Sequence, residues 1–531
     1  PEQNEEAAIA DFISVDCSLP QPSNLWKNAV PKTADLEKAL DFTAILQKSD
    51  AGRALLKDDP SLGARLNRVF GRITAALGQY DPSAWRFRHG PGAIAETVGK
   101  TNKYAWRTWS PALETVFPIA DYGFYSFSSW AAAVRSEILT DSPSKEAERD
   151  YPSVCTAAPD CEATPPSRLV AVPKTYDRPR LIAAEPSSNQ WCQQNLWHYF
   201  SERTAKTWLE RFVRFRDQTQ NQRLAREGSV HGNLSTLDLS EASDRVTCDV
   251  VEAAFRGNLG LLRALIACRT RSVRVPFRRP NVEITHVLNK FTTMGSTVTF
   301  PVESLIFLGC ALAILGEARP SEIEQLTGSV SVFGDDIIVP STAREPLTRL
   351  LEALCFKINH DKSFSGSHFR ESCGCDAFMG VDVTPVYLRS LLPDGVEAMV
   401  GMVETANHFY KRWQLNVSTV LRRTIERRFK LLDVHPRSTV LGFHTRVRPT
   451  TVPQFRWNKG LQRVESRCHV FVTEAVRIRT EDDSGLLQFF TEQPSPHDEW
   501  EHGYNLRAKL KPKLRWVPTC SVYDAWLGEG A

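Results

Sequence analysis

Ser329-Val330-Ser331-Val332-Phe333-Gly334-Asp335-Asp336-Ile337-Ile338-Val339 sets two short β-branched runs around a Gly-Asp-Asp triplet. This is the pattern of a β-hairpin with the acids at its turn. The spacing predicts two neighbouring carboxylates held at a tip. Such a pair repels itself unless a cation neutralises it, and hard oxygen ligands select magnesium or manganese. A Gly-Asp-Asp triplet arises by chance about 0.1 times in a chain of this length. The apolar strands on both sides, more than the triplet, carry the reading.

Upstream, Leu234-Ser235-Thr236-Leu237-Asp238-Leu239 alternates, so Leu237 and Leu239 share one face of a strand and Asp238 points to the other. Asp244 follows six residues later, after Ser240 and Ser243. Taken alone, this segment also reads as a solvated turn with helix-capping Ser and Asp. Between the two acidic segments lies Met294-Gly295-Ser296-Thr297-Val298-Thr299-Phe300-Pro301-Val302-Glu303-Ser304-Leu305-Ile306-Phe307. Its Gly, Ser and Thr residues form a loop that lets backbone approach a bound nucleotide. Pro301 suits the first turn of a helix with Val302, Leu305, Ile306 and Ala313 on its apolar face. A well-capped buried helix is the plainer reading of the same stretch.

The remainder is ordinary globular sequence. Of 531 residues, 42% are hydrophobic and 24% charged, which excludes disorder, collagen and a simple coiled coil as whole-chain descriptions. Several lobes around one cleft are expected, since single cores stop growing near roughly 250–300 residues. A net charge of +3 says nothing about a polyanionic partner. Twelve cysteines with no Cys-x-x-Cys pair argue against a zinc ribbon or a disulfide scaffold and for reduced thiols in the cytosol. Pro1–Ala10 lacks the order of a signal peptide, and the longest apolar stretch, Val302–Gly316, falls short of a membrane span, so a soluble protein is expected. Leu62, Leu66, Val69, Phe70, Ile73 and Leu77 recur at helical steps in a largely helical amino-terminal region. The aromatic-rich stretch Tyr104–Trp130 reads as core rather than as a stacking platform, and Thr140–Ser167 reads as a loop joining lobes.

The three segments, in this order and with roughly 57 and 40 residues between them, resemble motifs A, B and C of viral RNA-dependent RNA polymerases. Further stretches extend the likeness: Asp217–Arg223, Glu227-Gly228-Ser229, Glu303–Phe307, Phe369–Gly374 and Gly380–Pro385. Together they are similar to the replicase subunit of single-stranded RNA bacteriophages, the Qbeta-like leviviruses, over about Leu169–Arg389.

The resemblance implies an α+β, right-hand polymerase fold with a ferredoxin-like palm, fingers and thumb behind the helical amino-terminal region. It divides the chain into 1–166 (amino-terminal region and part of the fingers), 167–230 (fingers with a basic NTP-binding motif), 231–250 (palm motif A), 251–290 (fingers insertion), 291–390 (palm motifs B to E) and 391–531 (thumb and carboxy-terminal region). It implies that Asp238, Asp335 and, less directly, Asp336 hold two Mg²⁺ ions, for which Mn²⁺ substitutes. Ala171-Val172-Pro173-Lys174-Thr175-Tyr176-Asp177-Arg178-Pro179-Arg180 resembles the fingers motif over the incoming triphosphate, with Lys174, Arg178 and Arg180 as phosphate contacts. Many polymerases carry Ser-Gly and an Asn in motif B where Met294-Gly295 and Glu303 stand, so Asp244, Ser296 and Thr299 become the candidates for the ribose 2′-hydroxyl. Asn359-His360-Asp361-Lys362-Ser363-Phe364 resembles motif D, and Lys362 is the candidate general acid; a structural Lys paired with Asp361 or another local acid is the alternative.

From Lys411 to Lys430 there are seven basic residues and one acidic, which suits either a solvated helix face or a thumb tracking duplex phosphates. Arg271, Arg274, Arg278 and Arg279 form a second basic cluster, for which the template entry is the expected place. The resemblance also implies an RNA template and product, nucleoside triphosphates, host elongation factors Tu and Ts, a ribosomal protein, and action in the cytoplasm of the bacterial host without a membrane. The rival functions are a reverse transcriptase or DNA polymerase, a two-metal nuclease and, from another class, a non-enzymatic RNA-binding repressor.

Overall fold

In the computed structural model, the Gly-Asp-Asp segment forms the expected hairpin. Strand Ser331–Phe333 pairs antiparallel with Asp336–Pro340, and Leu234–Leu237 adds to the other edge of Asp336–Pro340. Leu237 stands opposite Ile337, which brings the next residue, Asp238, to the same end of the sheet as the turn. The structure describes residues 2–27, 30–90, 92–96, 103, 108–123, 165–173, 179–276, 283–316, 320–388, 392, 395–429, 431–436, 441–445, 455–474 and 509–518.

This three-stranded sheet is covered on both faces, which explains why its central strand carries the continuous apolar run Ile337-Ile338-Val339. Ile338 and Leu234 pack on Leu224 of helix Thr219–His231, while Leu237, Ile337 and Val339 enter the main core. Helix Thr299–Ile314 belongs to that core and is apolar nearly all round, as a helix buried on every side must be. Its Gly309 lies so close to Phe70 that an added Cβ would meet the ring at 2.3 Å. Phe70 belongs to helix Leu62–Leu77, whose six periodic apolar residues are all buried, as the sequence predicts.

The amino-terminal helices share one core with the acidic sheet. Glu252 of helix Cys248–Phe255 accepts hydrogen bonds from the Ser23 hydroxyl (2.6 Å), the Trp26 indole N–H (3.0 Å) and the Leu40 backbone N–H (2.6 Å). Helix Glu2–Ser18 lies on a second sheet, ordered Pro179–Ala184, Ser167–Pro173, Ser272–Pro276, Glu283–Val287, where Ile9 and Phe12 pack on Leu169, Ala183, Val273 and Val275. At its end the buried Asp16 accepts from the backbone N–H groups of Asn289 and Lys290 and pairs with His286 Nε2 at 2.8 Å. A meander of Phe369–Ser372, Cys375–Phe378 and Val381–Asp382 flanks helix Thr219–His231.

The described residues fall into two compact units, one up to Val383 and another from Thr384 onward. In the second, helices Val396–Lys411 and Leu415–Glu426 close around Met399, Met402, Val403, Leu421 and Ile425. A separate antiparallel sheet joins Phe455–Asn458, Arg463–Glu474 and Lys509–Pro518. No helix among the described residues is long and apolar enough to cross a membrane, and Cys17, Cys192, Cys248, Cys268, Cys310, Cys355, Cys373 and Cys375 are free thiols.

One basic cluster differs from expectation, and the other is engaged in part. Arg271 is buried and donates to the Lys27 carbonyl at 2.9 Å, so it fastens the amino-terminal segment and does not face template RNA; Arg278 and Arg279 lie outside the described residues. In the carboxy-terminal cluster, Arg422 is paired with Glu426 and Asp433 and stacks on Phe443, which leaves Arg423 and Arg427 as exposed charges. In the aromatic stretch, Trp109 and Phe117 are buried in the main core, and 124–130 lies outside the described residues, as does 140–164 of the proposed connecting loop.

Candidate active site

Asp238 occupies the point where one strand leaves one partner and takes another. Leu234–Leu237 pairs with Asp336–Pro340, whereas Leu239–Ser240 pairs with Lys357–Ile358. At this crossing the backbone of Asp238 is pinned from both sides, its N–H donating to Ser363 Oγ at 3.1 Å and its carbonyl accepting from the Asn359 N–H at 2.9 Å. The Asn359 side chain donates to Asp238 Oδ2 at 2.7 Å. Burial raises the Asp238 carboxyl above the ordinary aspartate range and the nearby Asp335 charge adds to the rise, while Asn359 and the Lys362 ammonium oppose it.

The hairpin turn separates its two acids. Gly334 adopts a left-handed φ of 60°, and an added Cβ there would meet the Phe300 ring at 2.8 Å. Its N–H donates to Ser304 Oγ at 3.0 Å, and that hydroxyl donates to the Phe300 carbonyl at 2.7 Å. Helix Thr299–Ile314 therefore holds the turn. Asp335 is exposed at the tip, but Asp336 already belongs to the strand and accepts from Ser372 Oγ at 3.1 Å. The two carboxylates consequently do not share the tip as the triplet suggested. Asn221 completes the support, donating to the Asp336 carbonyl and to Ser372 Oγ, both at 3.2 Å, and accepting from Ser331 Oγ at 2.6 Å. Burial pushes the Asp336 carboxyl up to about 6, with Asp335 and Asp238 adding to the rise against hydrogen bonds from Cys373 and Ser372.

The three aspartates therefore act on one another electrostatically, and such repulsion is what a divalent cation relieves. Their donor set, carboxylate oxygen alone, suits magnesium or manganese. Among the described residues no three His, Cys, Asp or Glu side chains stand as a ready-made metal cage; Asp238 and Asp336 instead each lend an oxygen to Asn359 and Ser372.

A fourth carboxyl, Glu303, lies buried beside the turn and accepts from Ser243 Oγ at 3.0 Å. Burial pushes it up to about 8, reinforced by Asp335 and, after the opposing Ser243 bond, by Asp244. Below about pH 4.5 the group is protonated in both folded and unfolded chains. Between that value and about 8 only the unfolded chain ionises, so its contribution to stability falls as pH rises, by up to ~1.4 kcal/mol per unit, and levels off above. Glu303→Gln, which keeps shape and neutrality, is expected to gain on the parent by a few kcal/mol (order of magnitude) between pH 5 and 8 in denaturant unfolding. The same difference at both pH values would show that Glu303 titrates normally.

The remaining candidates divide. Asp244 is paired with the fully buried Lys290 at 3.0 Å; burial raises its carboxyl and Lys290 opposes the rise. Ser296 is half-buried in the loop. Thr299 is buried, its hydroxyl committed to Thr292 Oγ1 at 2.7 Å and the Thr293 carbonyl at 3.0 Å, so it shapes the loop and does not face a ribose. Gly295 has φ 132° and packs on strand Pro179–Ala184, where the Ala183 N–H donates to the Met294 carbonyl at 2.8 Å. Arg180 is exposed on that strand, while Lys174 and Arg178 lie outside the described residues. Lys362, in the turn His360–Lys362, is exposed and stands 3.7 Å from Glu371 Oε1. Asn359, Ser363 and Ser372 fall inside motif-like segments yet received no role from sequence, because their partners are distant in the chain.

Residues 137–448, more than half the chain, match the family model described as RNA replicase, beta-chain. The RNA-directed RNA polymerase subunit beta of Enterobacteria phage SP is 36% identical over 247 residues, 46% of this chain and 39% of that protein. That of Escherichia virus Qbeta is 36% identical over 253 residues, 48% and 39% respectively. The RNA-directed RNA polymerase beta chain of Escherichia phage MS2 is 35% identical over 227 residues, 42% and 37%. The matched part thus spans about two fifths of the length of these relatives. With the paired acidic strands and a family match over most of its central region, the chain belongs to the RNA replicase beta-chain family.

Proposed function

We propose that the chain carries out template-directed RNA synthesis on an RNA template, as in viral genome replication and transcription. The observation that carries the reading is the pairing of the Asp238 strand with the Asp335–Asp336 hairpin in a member of this family. Asp238 and Asp335 are the residues that would hold two Mg²⁺ ions, with Asp336 adjacent. Bound there, the ions lower the barrier to attack of the primer 3′-hydroxyl on the α-phosphate and stabilise the leaving pyrophosphate. Arg180, with Lys174 and Arg178, grips the triphosphate. Asp244 and Ser296 remain the candidates to sense the ribose hydroxyl, and Lys362 the candidate to protonate pyrophosphate. In this reading the Asp238 sheet is the palm of a right hand, the sheet carrying Arg180 belongs to the fingers, and the helical pair from Val396 begins the thumb, where exposed Arg423 and Arg427 track duplex phosphates. Host elongation factors Tu and Ts and a ribosomal protein are the expected companions, in the cytoplasm of the bacterial host.

The test supplies purified chain, with and without the two elongation factors, with RNA, nucleoside triphosphates and magnesium. Template-length RNA made from ribonucleotides is the expected product. Equal use of deoxynucleotides would favour a reverse transcriptase, and RNA binding without any incorporation would overturn the enzyme reading in favour of a repressor.

A further inference from the structure

We propose that Asn359 is a positioning residue for metal binding: it occupies one oxygen of Asp238 and thereby leaves the other aimed at the cation. The proposal rests on the polymerase reading, in which Asp238 is a metal ligand.

Four hydrogen bonds join the segment Asn359–Ser363 to Asp238, and they differ in kind. Three involve the Asp238 backbone, its carbonyl accepting from the Asn359 N–H and the Ser363 hydroxyl and its N–H donating to Ser363 Oγ. These fix where the residue sits in the strand crossing but leave its side chain free to turn. The fourth, from Asn359 Nδ2 to Oδ2 at 2.7 Å, acts on the carboxylate itself. Asn359 follows directly on Ile358, which pairs with Leu239, so the register of this short ladder sets the amide beside the acid. An amide NH₂ can only donate, and it stabilises the ionised carboxylate that a cation needs. An Asp in its place would repel that charge, and an Ala would let the carboxylate rotate.

The same segment carries Lys362, whose charge acts on Asp238. The turn that presents the candidate proton donor is thus tied to the metal ligand through Asn359. Positioning of this sort matters because a site held about 1 Å out of place loses rate heavily.

The experiment compares parent chain, Asn359→Ala, Asn359→Asp and Ser363→Ala, each bound to RNA without nucleotides. Mn²⁺ binding is followed by electron paramagnetic resonance, and unfolding is followed in parallel. A hydrogen bond to a charged group is worth about 10- to 100-fold, so Asn359→Ala is expected to weaken Mn²⁺ binding at least about tenfold, and Asn359→Asp further. Ser363→Ala, which removes contacts to the Asp238 backbone only, is expected to change stability and leave Mn²⁺ affinity within about threefold. In incorporation assays Asn359→Ala is expected to need correspondingly more Mg²⁺ and to approach the parent rate at saturation. Parent-like Mn²⁺ affinity in folded Asn359→Ala overturns the proposal, as does equal weakening by Ser363→Ala. Should Asn359→Ala fail to fold, Asn359→Ser carries the same comparison. A parent chain that binds Mn²⁺ but makes no RNA contradicts the polymerase reading while leaving the Asn359 comparison legible.

Discussion

Asp335→Asn is expected to abolish nucleotide incorporation, by several powers of ten in rate, while RNA affinity stays within a few-fold and thermal stability is not lowered. The stability half of this expectation comes from geometry. Asp335 is exposed at the hairpin tip, and no hydrogen bond or ion pair engages its side chain among the described residues, so an isosteric amide breaks no structural contact. Asp336 differs, because its carboxyl accepts from Ser372 and its loss would disturb the support of the strand. Single-turnover incorporation, filter binding of RNA and a melting curve together make the check. Substantial magnesium-dependent synthesis by Asp335→Asn would remove Asp335 from the metal-binding set.

Gly295→Ala is the other large effect, and here folding and activity should fall together. At φ 132° an L side chain is strained, at a cost on the order of 1–3 kcal/mol. Space is the greater obstacle, since the new Cβ would meet the Ala183 carbonyl oxygen at 2.1 Å. That atom is backbone, so the loop must lift from strand Pro179–Ala184 and give up the hydrogen bond between Ala183 and Met294. In the proposed polymerase this loop carries Ser296 toward the ribose, and displacing it by about 1 Å can cost on the order of a hundredfold in rate. Gly232→Ala is the control, with φ 69° and no atom within 4 Å of the added carbon; it should cost only about 1–2 kcal/mol. Similar losses in both variants would mean that backbone conformation, and not the packing of the loop, decides the outcome at Gly295.

What sequence conveyed and what it withheld follow from the range of the forces involved. The hairpin and the buried helix were legible because β-branched runs and apolar periodicity are local patterns that burial then enforces. That the Asp238 strand lies beside the hairpin, with Leu237 opposite Ile337, was no local pattern and followed only from the polymerase fold that the resemblance implied. Unequal placement of Asp335 and Asp336 could not be read, since a turn of Gly334 and Asp335 looks the same on paper as one of three residues. Asn359 and Ser372 escaped notice for another reason: each is a common polar residue whose partner lies 121 or 36 positions away, and nothing local marks such a pairing. Arg271 shows the converse, a charge that seemed to advertise a ligand and instead holds the Lys27 carbonyl. Thr299 was misjudged in the same way, its hydroxyl being taken by neighbours within its own loop.

The shared core of the amino-terminal helices and the acidic sheet imposes an order on synthesis. Ser23, Trp26 and Leu40 find their acceptor only in Glu252, 229, 226 and 212 residues later. At translation rates of about 5–20 residues per second, the first helices wait on the order of ten to forty seconds outside the ribosome before Glu252 is even made. Apolar side chains such as Phe42 and Phe70, destined for that same core, are without their later partners throughout this interval. The nascent chain is then a client for chaperones, and slowing elongation within the stretch before Glu252 should lower the yield of folded protein more than the same delay placed after Val383.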